Sequence, residues 1–145
     1  MRISIANDHN GVKIKNELKE YICKLGHDLI DFGSNEGEDA DYPLYAYQVG
    51  NSVASLDTHL GILICGTGIG MSIACNKVKG IRCAKVSSIE EAKLSKQHNN
   101  ANVIAISSKT PIWKLKKIIK TFIETPFSNE ERHIRRNSLI DDYND

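Results

Sequence analysis

The feature that most constrains this chain is an unbroken apolar run, Leu60-Gly61-Ile62-Leu63-Ile64-Cys65, that opens straight into Gly66-Thr67-Gly68-Ile69-Gly70. A strand with one wet face alternates polar and apolar residues; a run with no polar position predicts a central parallel strand buried on both faces. Parallel neighbours need crossover connections, most often helices. The glycine segment therefore falls at a strand-to-helix turn.

The rest of the chain supplies the crossovers. Residues 2–6 read as a short apolar strand ending in Asn7-Asp8-His9-Asn10-Gly11. Val12, Ile14, Leu18, Tyr21, Ile22 and Leu25 then share one helical face, and Gly26 stops that helix. Residues 29–32 predict a second strand closed by Gly33, residues 34–41 an acidic loop, and Pro43 the first turn of a helix to about Leu56. After Gly70 a helix is expected to about Lys79, ended by Gly80, with residues 82–86 as the fourth strand. Ser88 with Glu91 predicts a capping box for a helix ending near His98-Asn99, and residues 103–106 make the fifth strand. Pro111 begins a helix from Trp113 to about Glu124, and Ser128 with Glu131 predicts a second capping box for a C-terminal helix.

Strands alternating with helices predict a three-layer αβα fold, Rossmann-like or flavodoxin-like, with a five-stranded parallel sheet and a C-terminal helix. With no repeat, low-complexity tract or linker, the 145 residues read as a single domain, 1–145. A chain of this length buries roughly 70% of its unfolded surface and needs no metal or disulfide staple.

Composition narrows the function classes. The net charge of +1 hides an asymmetry. Residues 1–72 hold five Lys/Arg against ten Asp/Glu, and residues 73–145 hold fourteen against eight. Such a split can create a local field for an anion, or simply reflect solvated surface at Lys114-Leu115-Lys116-Lys117 and at the acidic loop. Nothing is basic enough to suggest nucleic acid. The cysteines at 23, 65, 75 and 83 lack the spacing of a zinc knuckle or redox dithiol. No His/Asp/Glu cluster has ligand spacing, so no metal is expected. The N-terminus runs into a polar loop and does not read as a secretory signal. No apolar run approaches the roughly 20 residues of a membrane span, so a reducing cytoplasm is the expected setting.

Cys65-Gly66-Thr67-Gly68-Ile69-Gly70 is the most informative segment. At the start of a helix, free N–H groups and the helix dipole favour an anion, and alternate glycines let backbone approach a ligand. The same field favours the thiolate of Cys65. A dinucleotide fingerprint would need glycine where Met71 stands, a Walker A loop a lysine before Ser72, and a Cys-x5-Arg phosphatase an arginine at 71. By spacing alone, both an anion-binding turn with a reactive thiol and a glycine-rich turn with an inert one fit. Asp8-His9 fits a site at the first strand's end or a capping aspartate beside a surface histidine. His98-Asn99-Asn100 fits a catalytic group or an ordinary helix C-terminus. Arg132 and Arg136, at i and i+4, fit a phosphate grip or a solvated basic face.

In order along the chain, Asp8-His9, Gly11, Asp41-Tyr42-Pro43, Gly61 through Gly70, Asn76-Lys77, Gly80-Ile81-Arg82, Ser95-Lys96-Gln97-His98-Asn99, Asn102-Val103, Arg132-His133 and Arg136 resemble the ribose-5-phosphate isomerase B family from end to end. That family also includes the subunits of galactose-6-phosphate isomerase. The resemblance implies a cofactor-free aldose–ketose isomerase of the pentose phosphate pathway, working on a phosphosugar through a cis-enediolate. By the same resemblance, Cys65 moves the proton between the first two sugar carbons, His98 opens the furanose ring, and Thr67 shuttles a hydroxyl proton. Backbone N–H groups of Gly66, Gly68, Ile69, Gly70 and on to Ser72, with Asn99, hold the enediolate. Asp8 and Tyr42 contact the sugar, while His9, Arg132, Arg136 and Lys109 receive the phosphate. Relatives often carry arginine at 109, and lysine keeps the charge without the bidentate fork. Many also have aspartate where Asn100 stands.

Topology adds one expectation. His98 ends a crossover helix running antiparallel to the strands, which puts it near the sheet's amino edge, whereas Cys65 ends a strand at the carboxyl edge. At roughly 3.3 Å per residue, five residues separate those edges by about 16 Å. His98 and Asn99 are therefore expected to reach the site of a two-fold partner, in a homodimer or a dimer of dimers. The competing readings are a hexose 6-phosphate isomerase of the galactose or allose type, and a non-catalytic flavodoxin-like regulatory domain. A phosphoacceptor of the latter kind would want aspartate where Cys65 stands.

Overall fold

A computed structural model describes residues 1–37 and 41–143. The strands are β1 (Arg2–Asn7), β2 (Asp28–Asp31), β3 (Leu60–Cys65), β4 (Cys83–Lys85) and β5 (Val103–Ser107). The helices are α1 (Val12–Lys24), α2 (Tyr42–Ala54), α3 (Ile69–Cys75), α4 (Ile89–Asn99), α5 (Ile112–Glu124) and α6 (Glu131–Asp141), with a 3₁₀ turn over His9–Gly11. The sheet is parallel throughout in the order β2-β1-β3-β5-β4, so β3 is central, as its apolar run requires. The last two strands are exchanged relative to the flavodoxin order. Of the predicted acidic loop, residues 38–40 lie outside the described residues.

Side-chain alternation along the strands divides the core in two. Ile3, Ile5, Ile62, Ile64, Ile104 and Ile106 face Leu18 and Ile22 of α1 and Leu115, Ile118 and Phe122 of α5. Ala6, Leu63, Cys65 and Ala105 face the other way, against Ala46 and Val49 of α2 and Met71 and Ala74 of α3. That second layer is built of small residues and packs close: a Cβ on Gly61 would stand 2.5 Å from Val49 Cγ1. Cys65 thus points into the layer that carries the glycine turn.

Two boundaries differ from expectation. α3 ends at Cys75, not near Lys79, because Asn76 leaves the helix to pair with β4. Its Nδ2 donates to Cys83 O at 2.9 Å and its Oδ1 accepts from Cys83 N at 2.8 Å. The first capping box forms, with Glu91 N donating to Ser88 Oγ at 3.0 Å, whereas the second does not. Asn129 adopts φ +58° after Ser128, and α6 starts only at Glu131 with no side-chain cap.

The end of β1 is held by a buried ion pair that the sequence pattern did not reveal. Lys15 is almost wholly buried; its ammonium donates to Asp31 Oδ1 at 3.1 Å and to Ser34 O at 2.8 Å. Ser34 N in turn donates to Asn7 O at 3.0 Å, and Asn7 N to Gly33 O at 2.7 Å. Burial works against ionisation of Asp31, but hydrogen bonds from Lys19, Gly33 N–H and Lys15 outweigh it and hold the pKa below the ordinary carboxylate value. Asp31→Ala, which strands the Lys15 ammonium, is expected to cost roughly 3 kcal/mol in urea unfolding at pH 7. With the folded pKa below the unfolded value of about 3.9, this stabilisation is complete above that pH and lost as pH falls through the folded pKa. The wild-type and variant curves should therefore converge in acid; a constant gap down to pH 2 would refute the assignment.

Candidate active site

β1 and β3 end side by side at the carboxyl edge, where the winding of the sheet reverses. Asp8 N donates to Ile64 O at 2.9 Å, bringing the Asp8-His9 loop against the end of β3. The Asp8 carboxylate caps the 3₁₀ turn, accepting from Asn10 N at 2.9 Å, so it does the capping work considered above at the carboxyl edge. His9 is exposed beside it. Gly11 is required for the approach: a Cβ there would meet Ile64 Cγ2 at 2.9 Å and Asn7 Cβ at 3.0 Å.

The turn after β3 is fastened from behind. Cys65 is buried, and Gly68 N donates to its Sγ at 3.0 Å. Ser108 N donates to Cys65 O at 2.9 Å, Ser107 Oγ donates to Gly66 O at 2.7 Å, and Lys109 N donates to Ser107 Oγ at 3.1 Å. Lys109 therefore sits at the same edge as Cys65. Gly68 has φ +81°, and a Cβ there would stand 3.2 Å from Ala105 O, so only glycine fits. Thr67, exposed, accepts from Ile69 N through Oγ1 at 3.1 Å. The Tyr42 hydroxyl and ring lie over Gly70, 2.6 Å from where a Cβ would be. Ser72 lies one turn further along, inside α3. Its N–H donates to Gly68 O at 3.1 Å within the helix. Hydrogen bonding with Cys75, together with burial, pushes the Cys83 thiol up, which makes it an unreactive packing group.

The other predicted residues gather at the opposite edge. Asn102, just after α4, accepts from Gly61 N at 2.9 Å, beside the start of β3 and five residues from Cys65. His98 and Asn99 end α4 there, with α6 across them. The His98 and His133 rings stack with centroids 4.4 Å apart and planes 16° off parallel. Asn137 Nδ2 donates to His98 O at 3.0 Å, and its Oδ1 accepts from Asn99 Nδ2 at 3.1 Å. Arg132 and Arg136 project from α6 into solvent, Arg132 beside Glu130 at 3.1 Å.

The structure thus collects Asp8, His9, Tyr42, Cys65 to Gly70 and Lys109 at one edge, and His98, Asn99, Arg132 and Arg136 at the other. Sequence reasoning gave no role to Asn10, which lies 3.8 Å from a Cβ position on Gly66, or to Ser107, His133, Asn137 and Arg82. Arg82 and His133 stand among the residues that carry the resemblance, and His133 and Asn137 share a four-residue spacing; Asn10 and Ser107 are revealed by contacts between distant segments.

A buried thiol at the end of a central parallel strand, held against a glycine turn where the winding reverses, defines an α/β protein with its candidate site at the place where open parallel sheets bind ligands. The chain belongs to the Ribose/Galactose Isomerase family, whose sequence profile matches residues 3–140. It is 43% identical over 118 residues to ribose-5-phosphate isomerase B of Escherichia coli, covering 81% of this chain and 79% of that one. The type B ribose 5-phosphate isomerase of Trypanosoma brucei superposes with a TM-score of 0.93 at 40% identity, over 97% of this chain and 96% of that one. Ribose-5-phosphate isomerase B of Mycoplasma genitalium, with ribulose 5-phosphate bound, superposes with a TM-score of 0.92 at 39% identity, over 98% and 95%.

Proposed function

We propose that this chain is an isomerase that interconverts ribose 5-phosphate and ribulose 5-phosphate. The observation that carries the reading is the Cys65 thiol, held against the Gly66–Gly70 turn at the end of the strand to which Asp8 is bonded, in a chain that matches a ribulose 5-phosphate-bound relative over nearly its whole length.

In this reading the Cys65 thiolate takes the proton from C2 of the open-chain aldose, and the electron pair moves onto O1. The resulting enediolate is held by N–H groups of the Gly66–Gly70 turn and by Asn99; those of Gly68 and Ile69, which rest on Cys65 Sγ and Thr67 Oγ1 in the free chain, exchange those partners for the oxyanion. Thr67 passes the O2 proton toward O1, and Cys65 returns its proton to C1. Both transfers are proton transfers within one redox-neutral exchange, so the chemistry calls for no cofactor. His98 opens the furanose by moving the proton between the anomeric hydroxyl and the ring oxygen. His9, Lys109, Arg132 and Arg136 hold the phosphate, and Asp8 and Tyr42 the sugar, far enough from C1 and C2 to fix their position.

Because His98, Asn99 and the two arginines lie at the edge opposite Cys65, the complete site draws on two copies of the chain, in a homodimer or a dimer of dimers. Exposed apolar residues near each half support this: Ile69 and Ile73 on α3, Ile134 and Leu139 on α6. A cytoplasmic setting is in keeping with four free cysteines.

The test is a coupled assay of the purified chain alone on ribose 5-phosphate, galactose 6-phosphate and allose 6-phosphate. At least a tenfold preference for the pentose in kcat/KM is expected, roughly the worth of one extra carbon in a fitted pocket. Preference for a hexose phosphate, or activity only with a second, different subunit, would overturn the assignment.

A further inference from the structure

α6 presents two faces that differ in kind. His133, Asn137 and Asp141 recur every four residues and share one face; Arg132 and Arg136 lie on the next and are exposed. His133 and Asn137 are buried, while the apolar Ile134, Leu139 and Ile140 stand in solvent at 46%, 68% and 53% exposure. The helix is therefore docked on its own chain through polar contacts along that stripe.

His133 and Asn137 meet the last turn of α4 directly, and Asp141 reaches it through Arg82. The His133 ring covers the His98 ring. Asn137 bonds both the His98 carbonyl and the Asn99 amide. Asp141 accepts from Arg82 Nη1 through both oxygens, at 2.8 and 2.7 Å. The same guanidinium donates to Asn99 O at 2.8 Å and to Asn100 O at 3.1 Å. Asn100 is in the left-handed region, φ +42°, so the chain turns away sharply at this point. These contacts fix the backbone, the ring plane and the amide of the two residues together. Directional bonds set an orientation in a way that apolar packing does not.

We propose that His133, Asn137 and Asp141, the last acting through Arg82, form a positioning stripe that aims His98 and Asn99 at the substrate. This rests on His98 being the ring-opening group. His133 touches no reacting atom; it acts as a flat wall against which the His98 ring is held. Its Nε2 is buried without a hydrogen-bond partner, as suits a ring used for its face. Burial first, then His98 and Arg132, with Arg136 adding and Glu130 opposing, disfavour protonation of His133.

The test compares ribose 5-phosphate with 4-deoxyribose 5-phosphate, an aldose lacking the hydroxyl that closes the furanose, so that no ring need be opened. His133→Ala is expected to lower kcat on ribose 5-phosphate about 100-fold, the cost of a misplaced group, and on the 4-deoxy sugar by no more than about threefold. His133→Phe, which keeps a flat ring for the stack, should stay within about threefold of wild type on both. Asn137→Asp, isosteric, replaces the donor to His98 O by an acceptor and should show the same selective loss as the alanine variant, with its urea unfolding measured beside wild type because the new carboxylate is buried. Equal losses on both sugars, or a phenylalanine variant no better than alanine, would overturn the proposal. So would a His133→Ala enzyme as fast as wild type on ribose 5-phosphate. Wild type and His98→Asn separate the two levels. If wild type fails on ribose 5-phosphate, the proposed function falls and this inference with it. If His98→Asn shows the selective loss and the stripe variants do not, only the inference falls.

Discussion

Cys65→Ala is expected to lower kcat on ribose 5-phosphate by about 10³-fold, with KM within about threefold of wild type. The thiol is the one group at the carboxyl edge that is placed, in the proposed reaction, to lift and return the carbon-bound proton. The substrate, by contrast, is held by the phosphate ligands and the glycine turn. Stability should change little. Cys65 packs among alanines, Leu63 and Met71, and removing one sulfur from such a layer costs on the order of 1 kcal/mol. Hydrogen exchange at C1 of ribulose 5-phosphate in heavy water, followed by proton NMR, reports the proton abstraction alone. Wild-type exchange in the alanine variant would remove Cys65 from the mechanism.

The second large effect is a recovery. Cys65→Ala and His98→Asn, each inactive alone, should regain about a quarter of wild-type specific activity when unfolded, mixed in equal amounts and refolded. Random pairing makes half of the dimers mixed. In each mixed dimer one crevice receives both substitutions, and the other receives intact Cys65 from one chain and intact His98 from the other. The ground is the topology: Asn102, just beyond His98, is bonded to the first residues of β3, and Cys65 is its last residue. No recovery, or activity in a species sedimenting as a monomer, would mean that one chain closes its own site.

Much of this was legible in one dimension. The apolar run at residues 60–65 demanded a doubly covered strand, and the helices around it followed from spacing and glycine stops. The misjudged boundaries share a physical cause. Asn76 and Ser128 look like ordinary helix-end residues, but Asn76 is claimed by the backbone of Cys83, and Asn129 turns left-handed before α6 can begin. Ser72 is read as a backbone donor because it follows the glycines, and in the fold its N–H donates to Gly68 O inside α3. Lys15 lay outside the apolar pattern of α1, and its burial depends on Asp31 and Ser34 arriving from β2 and the loop beyond.

By itself, the sequence determined the strand that must be central, the turn that follows it, and the thiol at their junction. These depend on periodicity and backbone freedom, which are properties of neighbouring residues. The tertiary structure alone decided that His133 faces His98, that Arg82 joins α4 to α6, and that α6 carries Arg132 and Arg136 to the edge where His98 lies. These depend on strand order and on where each crossover returns, and free energy summed over contacts between segments decides them.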